Sequence, residues 1–187
     1  MKNLNKLKVL ATTILIIGII SSCKKDKTDN PQPINSGELI TKVQLVFVDS
    51  ISGAVASTAT FSDVDGPGGA TATQDSILLN NNTTYLMNII LLDETKTPVD
   101  TISNEVLDEG DVHLFVFNVM PSSLLTTNIT DLDANFKPIG LSSILKTSAS
   151  GLGTYSVELR HFDSASEKTS NTVFDTDISV LFNVRVQ

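Results

Sequence analysis

The chain has 187 residues, with 13 Lys+Arg against 21 Asp+Glu, a formal net charge of −8, one Cys and no Trp. That length allows one domain or two small ones. A 41% hydrophobic, 18% charged composition supplies a core and argues against a disordered chain. The acidic balance argues against a nucleic-acid partner, because phosphate binding needs clustered Lys and Arg. A single cysteine excludes a disulfide framework and a cysteine-based zinc site.

Lys2, Lys6 and Lys8 form a positive N-terminal region, followed by a mainly apolar run of 12 residues from Val9 to Ile20. A bilayer-spanning helix needs about 20 such residues, so this run reads as the hydrophobic part of a signal peptide. The run stops at Ile20-Ser21-Ser22-Cys23, which resembles a bacterial lipobox. Small side chains admit the peptidase before Cys23, and the thiol is the nucleophile that accepts the lipid. The reading is therefore a signal peptide over residues 1–22 and lipid attachment at Cys23. Loss of 22 residues with three lysines and no acid moves the charge from −8 to −11. An anionic body is repelled by an anionic membrane surface, so the lipid would hold the protein there.

Residues 23–37 read as the lipidated cysteine and a flexible tether. Lys24 to Gly37 (KKDKTDNPQPINSG) holds one apolar residue, Ile34, and two prolines that block regular hydrogen bonding.

From Glu38 to Gln187 alternation of period two dominates, with many β-branched residues. Candidate strands are Leu39–Asp49, Ala54–Ser62, Asp75–Leu79, Thr84–Leu92, His113–Val119, Leu124–Thr130, Ile139–Thr147, Gly153–Phe162 and Asp177–Val186. Val43, Leu45 and Phe47 share one face of the first. Ile178, Val180, Phe182 and Val184 share one face of the last. Turn-forming Gly, Asn and Pro clusters separate the strands. Val99 to Gly110 has Ile102, Val106 and Leu107 at helical spacing, and fits a short helical turn or an extended loop. The expectation is a single all-β domain over residues 38–187, an antiparallel β-sandwich of the immunoglobulin-like kind with seven to nine strands.

Three segments carry a resemblance: ISNEVLDEGDVHLFVF (Ile102 to Phe117), LLNNNTTYLMNIILLDE (Leu78 to Glu94) and VELRHF (Val157 to Phe162). Together with the lipobox and the Asx/Pro-rich tether, they resemble a family of small Bacteroidetes outer-membrane lipoproteins. The resemblance covers almost the whole chain and implies a lipid-anchored envelope protein. Asn104, Leu107 and Val112 stand where that family usually has acids, and Leu114 where it has Gln, which thins the acidic cluster before His113. Some members carry the label of a type 1 periplasmic-binding fold. That fold needs repeated βαβ units, and the sequence shows none.

Asp111 and His113 are two apart and would share a strand face. His161 lies in another candidate strand. A site of Asp111, His113 and His161 offers two imidazoles and a carboxylate, a donor set that suits zinc or copper. Asp63-Val64-Asp65-Gly66 and Asp131-Leu132-Asp133-Ala134-Asn135 begin like calcium loops. Neither has the bidentate Glu at its twelfth position, where Gln74 and Ser142 stand. Asp63 and Asp65 are the better calcium pair, because glycines follow them. No GxSxG elbow, P-loop or HExxH is present, so no catalytic residue is assigned and an enzyme is not expected. Without Trp, and with Tyr85 and Tyr155 in strand patterns, an aromatic sugar platform is not expected either. The leading expectation is a non-catalytic binding or accessory module at the outer membrane, acting on a protein or small-ligand partner. The alternative is a metal or small-ligand capture protein serving an outer-membrane transporter.

Overall fold

Two faces of alternating residues close on one another. In strand β1 (Lys42–Asp49) Val43, Leu45 and Phe47 point inward and are fully buried, while their neighbours are half-exposed. Strand β5 (Thr84–Leu92) does the same with Tyr85, Met87, Ile89 and Leu91. Beside them lie β2 (Val55–Ser62), β3 (Thr73–Gln74), β7 (Leu125–Ile129) and β8 (Ser142–Thr147). They form a six-stranded sheet in the order β3-β2-β1-β5-β8-β7. The facing sheet has four strands in the order β4-β10-β9-β6, from β4 (Ile77–Leu79), β6 (His113–Met120), β9 (Gly151–His161) and β10 (Asp175–Val186). Phe115, Tyr155, Val157, Leu159, Val180, Phe182 and Val184 supply its inner side. The molecule is a β-sandwich, as the alternation predicts. The computed structural model describes residues 39–65 and 69–187. The signal peptide, Cys23 and the tether lie outside the described residues.

The segment expected as one strand, 75–79, is strand only over Ile77–Leu79, and a separate short strand, Thr73–Gln74, precedes it. Thr73–Gln74 pairs with β2 in the large sheet, and Ile77–Leu79 pairs with β10 in the small one. The hinge is Asp75, whose N–H donates to the Thr60 carbonyl at 2.8 Å and whose carboxylate accepts the Thr60 N–H at 3.0 Å. Crossing between sheets brings β4 alongside β10 in parallel, the one departure from the antiparallel expectation among the paired strands.

Two short helices fill the ends. Helix α1 (Ile102–Asp108) buries Ile102 and Val106, one turn apart. The 99–110 segment is therefore helical over Ile102–Asp108. Helix α2 (Ala165–Ser170), not expected from the sequence, is defined by its caps. The Ser164 hydroxyl accepts the Glu167 N–H at 3.4 Å, and Asn171 closes the helix in the left-handed region at φ 50°. Its Lys168 is buried and donates to the Gly110 carbonyl at 2.5 Å and to Asp133 Oδ2 at 2.7 Å.

Candidate metal centre

Strands β6 and β9 pair antiparallel with His113 directly opposite His161. Both side chains fall on the inner face of the small sheet, in phase with Phe115 and Leu159. Their ring centroids lie 4.4 Å apart. The third member is Asp177, from β10. The β9–β10 register runs Asp175↔His161, Thr176↔Arg160, then Ile178↔Leu159, so Asp177 is an extra residue without a partner across the ladder. This β-bulge shifts the alternation of β10 by one and turns the Asp177 carboxylate towards the histidines. Bulges re-aim side chains in this way.

His113 Nε2 is 3.7 Å and His161 Nδ1 3.8 Å from Asp177 Oδ2. The three donor atoms lie within 4.8 Å of one another. Side-chain exposure rises from 1% at His113 through 8% at Asp177 to 23% at His161, so the group is sealed on one side and reaches solvent on the other.

The sealed side fixes the chemistry of His113. Its Nδ1 lies 3.0 Å from the Glu109 carbonyl oxygen, just past the end of α1. A carbonyl only accepts, so Nδ1 carries the proton and Nε2 presents its lone pair to Asp177. Burial holds the His113 pKa below the usual histidine range, against the hydrogen bond to Glu109 that works to raise it. Burial also pushes the Asp177 carboxyl above the usual range, opposed by His161 and reinforced by Asp175. Two acceptor lone pairs that face each other in a desolvated place repel unless a proton or a cation lies between them. A divalent ion satisfies both. The backbone hydrogen bond behind His113 is the kind of outer contact that orients metal-binding imidazoles. Bonds of about 2.0–2.1 Å around a tetrahedral zinc ion put donors about 3.4 Å apart. The two distances to Asp177 Oδ2, 3.7 and 3.8 Å, are within a few tenths of an ångström of that spacing.

Asp111 does not join the group. Strand β6 begins at His113, and Asp111 lies exposed in the turn between α1 and β6. It therefore does not share the strand face that its spacing implies. The other candidate carboxylates are engaged by nearby backbone. Asp65 Oδ2 accepts the Ala70 N–H at 2.7 Å, and a Cβ on Gly69 would fall 2.3 Å from that oxygen. Asp63 has one buried carboxylate oxygen without a hydrogen-bond partner, but residues 66–68 of its loop lie outside the described residues. Asp131 accepts the Gly140 and Leu141 N–H groups, and Asp133 accepts those of Asn135 and Lys137. These are turn-closing bonds. Tyr85 and Tyr155 are core residues, each 1% exposed. Ser143 and Lys146 have SxxK spacing, but on strand β8 they take opposite faces, one buried and one exposed, so the amine cannot reach the hydroxyl.

Beside this centre, the edge strands β6 and β7 flank a cleft of about 750 Å³, lined by Phe117, Val119, Thr127, Ile129 and Tyr155 among others. Comparison with protein-family models, with curated proteins and with solved structures gives no match for this chain.

Proposed function

We propose that the protein is a metal-capture module held at the cell envelope by a lipid on Cys23, and that it binds Zn²⁺ or Cu²⁺ through His113, His161 and Asp177 without turning over a substrate. The observation that carries this reading is the convergence of the His113 Nε2 lone pair and the Asp177 carboxylate at 3.7 Å, with His161 completing the group. Imidazole and carboxylate donors suit borderline divalent ions, and none of the three donors is a thiolate that would favour Cu⁺. The lipobox-like Ile20-Ser21-Ser22-Cys23 and the charged, proline-containing tether support an outer-membrane location, where captured ions would supply a transporter. Calorimetric titration of the detergent-purified protein with Zn²⁺ and Cu²⁺ tests the reading. One site per chain, lost in His161→Gln and Asp177→Asn, supports it. Heat of binding that is equal in all three proteins sinks it.

A second reading has its own observation. The cleft between β6 and β7 lies where the two sheets end without pairing to each other. Edge strands offer unpaired backbone groups to an extended segment of another protein. This is the accessory-module reading. Mixing the protein with a candidate transporter tests it, with protection of β6 and β7 amides from hydrogen exchange as the readout.

A further inference from the structure

Three protein donors do not fill the sphere of a four-coordinate ion, and the way these three are buried says where the remaining position lies. His113 is locked from behind by the Glu109 carbonyl and is 1% exposed. Asp177 reaches in from the β10 bulge and is 8% exposed. His161, 23% exposed, stands at the rim of the pair. Among the described residues, the His161 side is therefore the more exposed side of the group. Among the described residues no fourth His, Cys, Asp or Glu joins the group. The nearest carboxylate in the register is Asp175, directly across the ladder from His161 and exposed.

We infer that a metal ion held here keeps one coordination position open on the His161 side, where an external monodentate donor such as azide, imidazole or the side chain of an acceptor protein binds the metal directly. The inference rests on the metal reading above and deepens it. Closed four-ligand sites hold metal for structure, whereas sites with three protein ligands keep a position for water or an incoming group. An ion in such a site changes partners by gaining a new ligand before it loses an old one. An open position is what an acceptor needs in order to reach the metal.

Co²⁺ substitution provides the test, because the visible bands of four-coordinate Co²⁺ report each change of ligand. The full-length protein, purified in detergent, is loaded with one equivalent of Co²⁺ and titrated with sodium azide, and Asp175→Asn is titrated in parallel. The expected result is a saturable shift of the Co²⁺ bands, with one azide per metal, in both proteins. Bands unmoved by azide in both proteins would show a closed sphere and overturn the inference while leaving the metal reading intact. A response confined to Asp175→Asn would also overturn it, by showing that Asp175 is the fourth ligand. Failure of Co²⁺, Zn²⁺ and Cu²⁺ alike to bind would remove the metal reading, and this inference with it.

Discussion

His113 and His161 face each other across adjacent antiparallel strands, their ring centroids 4.4 Å apart, on the side of the sheet that otherwise carries the core. Sandwich interiors take apolar residues at such positions. Two imidazoles placed there, with a carboxylate brought to them by a bulge, need partners to offset their desolvation.

Metal binding should therefore appear as stability. A ligand that binds only the native state at 100 times its Kd adds about 2.7 kcal/mol. For a domain of this size that raises Tm by about 5–10 °C. The shift is expected with Zn²⁺ or Cu²⁺, is reversed by a chelator, and is lost in His161→Gln, a rim substitution that opens no core cavity. Asp111→Asn should keep the full shift, since Asp111 lies in the turn before β6. Equal behaviour of the His161 and Asp111 variants in a thermal melt would contradict the site.

Asp177 should act oppositely when metal is removed. Its folded pKa is raised by burial, so it contributes stability below the unfolded value near 3.8, and this is lost as pH rises through the folded value. At pH 7 the ionised carboxylate works against the fold. With chelator present, Asp177→Asn is expected to unfold at a higher urea midpoint than the parent at pH 7, and to lose that advantage towards pH 4. A lower midpoint at pH 7 would show that Asp177 has a compensating partner in the metal-free protein.

The strands were legible in the sequence where alternation is unbroken. In β1, β5 and β10 the residues Val43, Leu45, Phe47, Tyr85, Met87, Val180, Phe182 and Val184 fall inward as their period requires. Alternation fails where phase changes. In β10 the odd positions Ser179 and Leu181 face outward, and the same count would put Asp177 outside. One inserted residue at the bulge reverses that count, and a period-two reading has no means of seeing it. Strand membership alone sets His113 opposite His161, whereas Asp111 shares their face only if the strand is extended two residues before His113, and β6 begins at His113. The signal available for Asp177 was the Asp175-Thr176-Asp177 sequence, two acids entering a strand. Helix α2 was hidden by its composition, since its six residues have no apolar stripe and depend on Ser164, Asn171 and the buried Lys168.

Gly140 should tolerate no side chain. Its φ is +104°, a backbone conformation that L-residues rarely adopt, and an added Cβ would fall 2.6 Å from Phe115 Cβ. Its N–H is also fixed on Asp131 Oδ1 at 3.0 Å. Backbone strain alone costs about 1–3 kcal/mol, and the overlap with Phe115 adds to it. Gly140→Ala is expected to lower the urea midpoint accordingly. Because Phe115 is two residues from His113 on β6, the same variant should weaken metal affinity. An unchanged midpoint would mean that the loop can rebuild around the methyl group.

The Lys168–Asp133 pair should carry much of the attachment of α2. Both side chains are 2% exposed, and the ammonium also holds the Gly110 carbonyl at the entry to β6. Burial works to raise the Asp133 pKa, but hydrogen bonds from Lys168, Lys137 and Asn135 outweigh it and hold the carboxyl below the usual range. A lowered folded pKa contributes stability that is present above about 3.8 and is lost as pH falls through the folded value. Lys168→Met leaves a buried carboxylate without its cation and is expected to lose about 3–5 kcal/mol. The acid limb of its stability profile should flatten, because the group that deepened the Asp133 shift is gone. Asp133→Asn in the same background keeps an acceptor for the Asn135 and Lys137 N–H groups while removing the unpaired charge. The double variant should therefore recover part of the loss. Denaturant midpoints of the three variants between pH 3 and pH 7 decide the matter. A double variant less stable than Lys168→Met would mean that Asp133 stabilises the turn through its charge on the backbone donors, independently of the lysine.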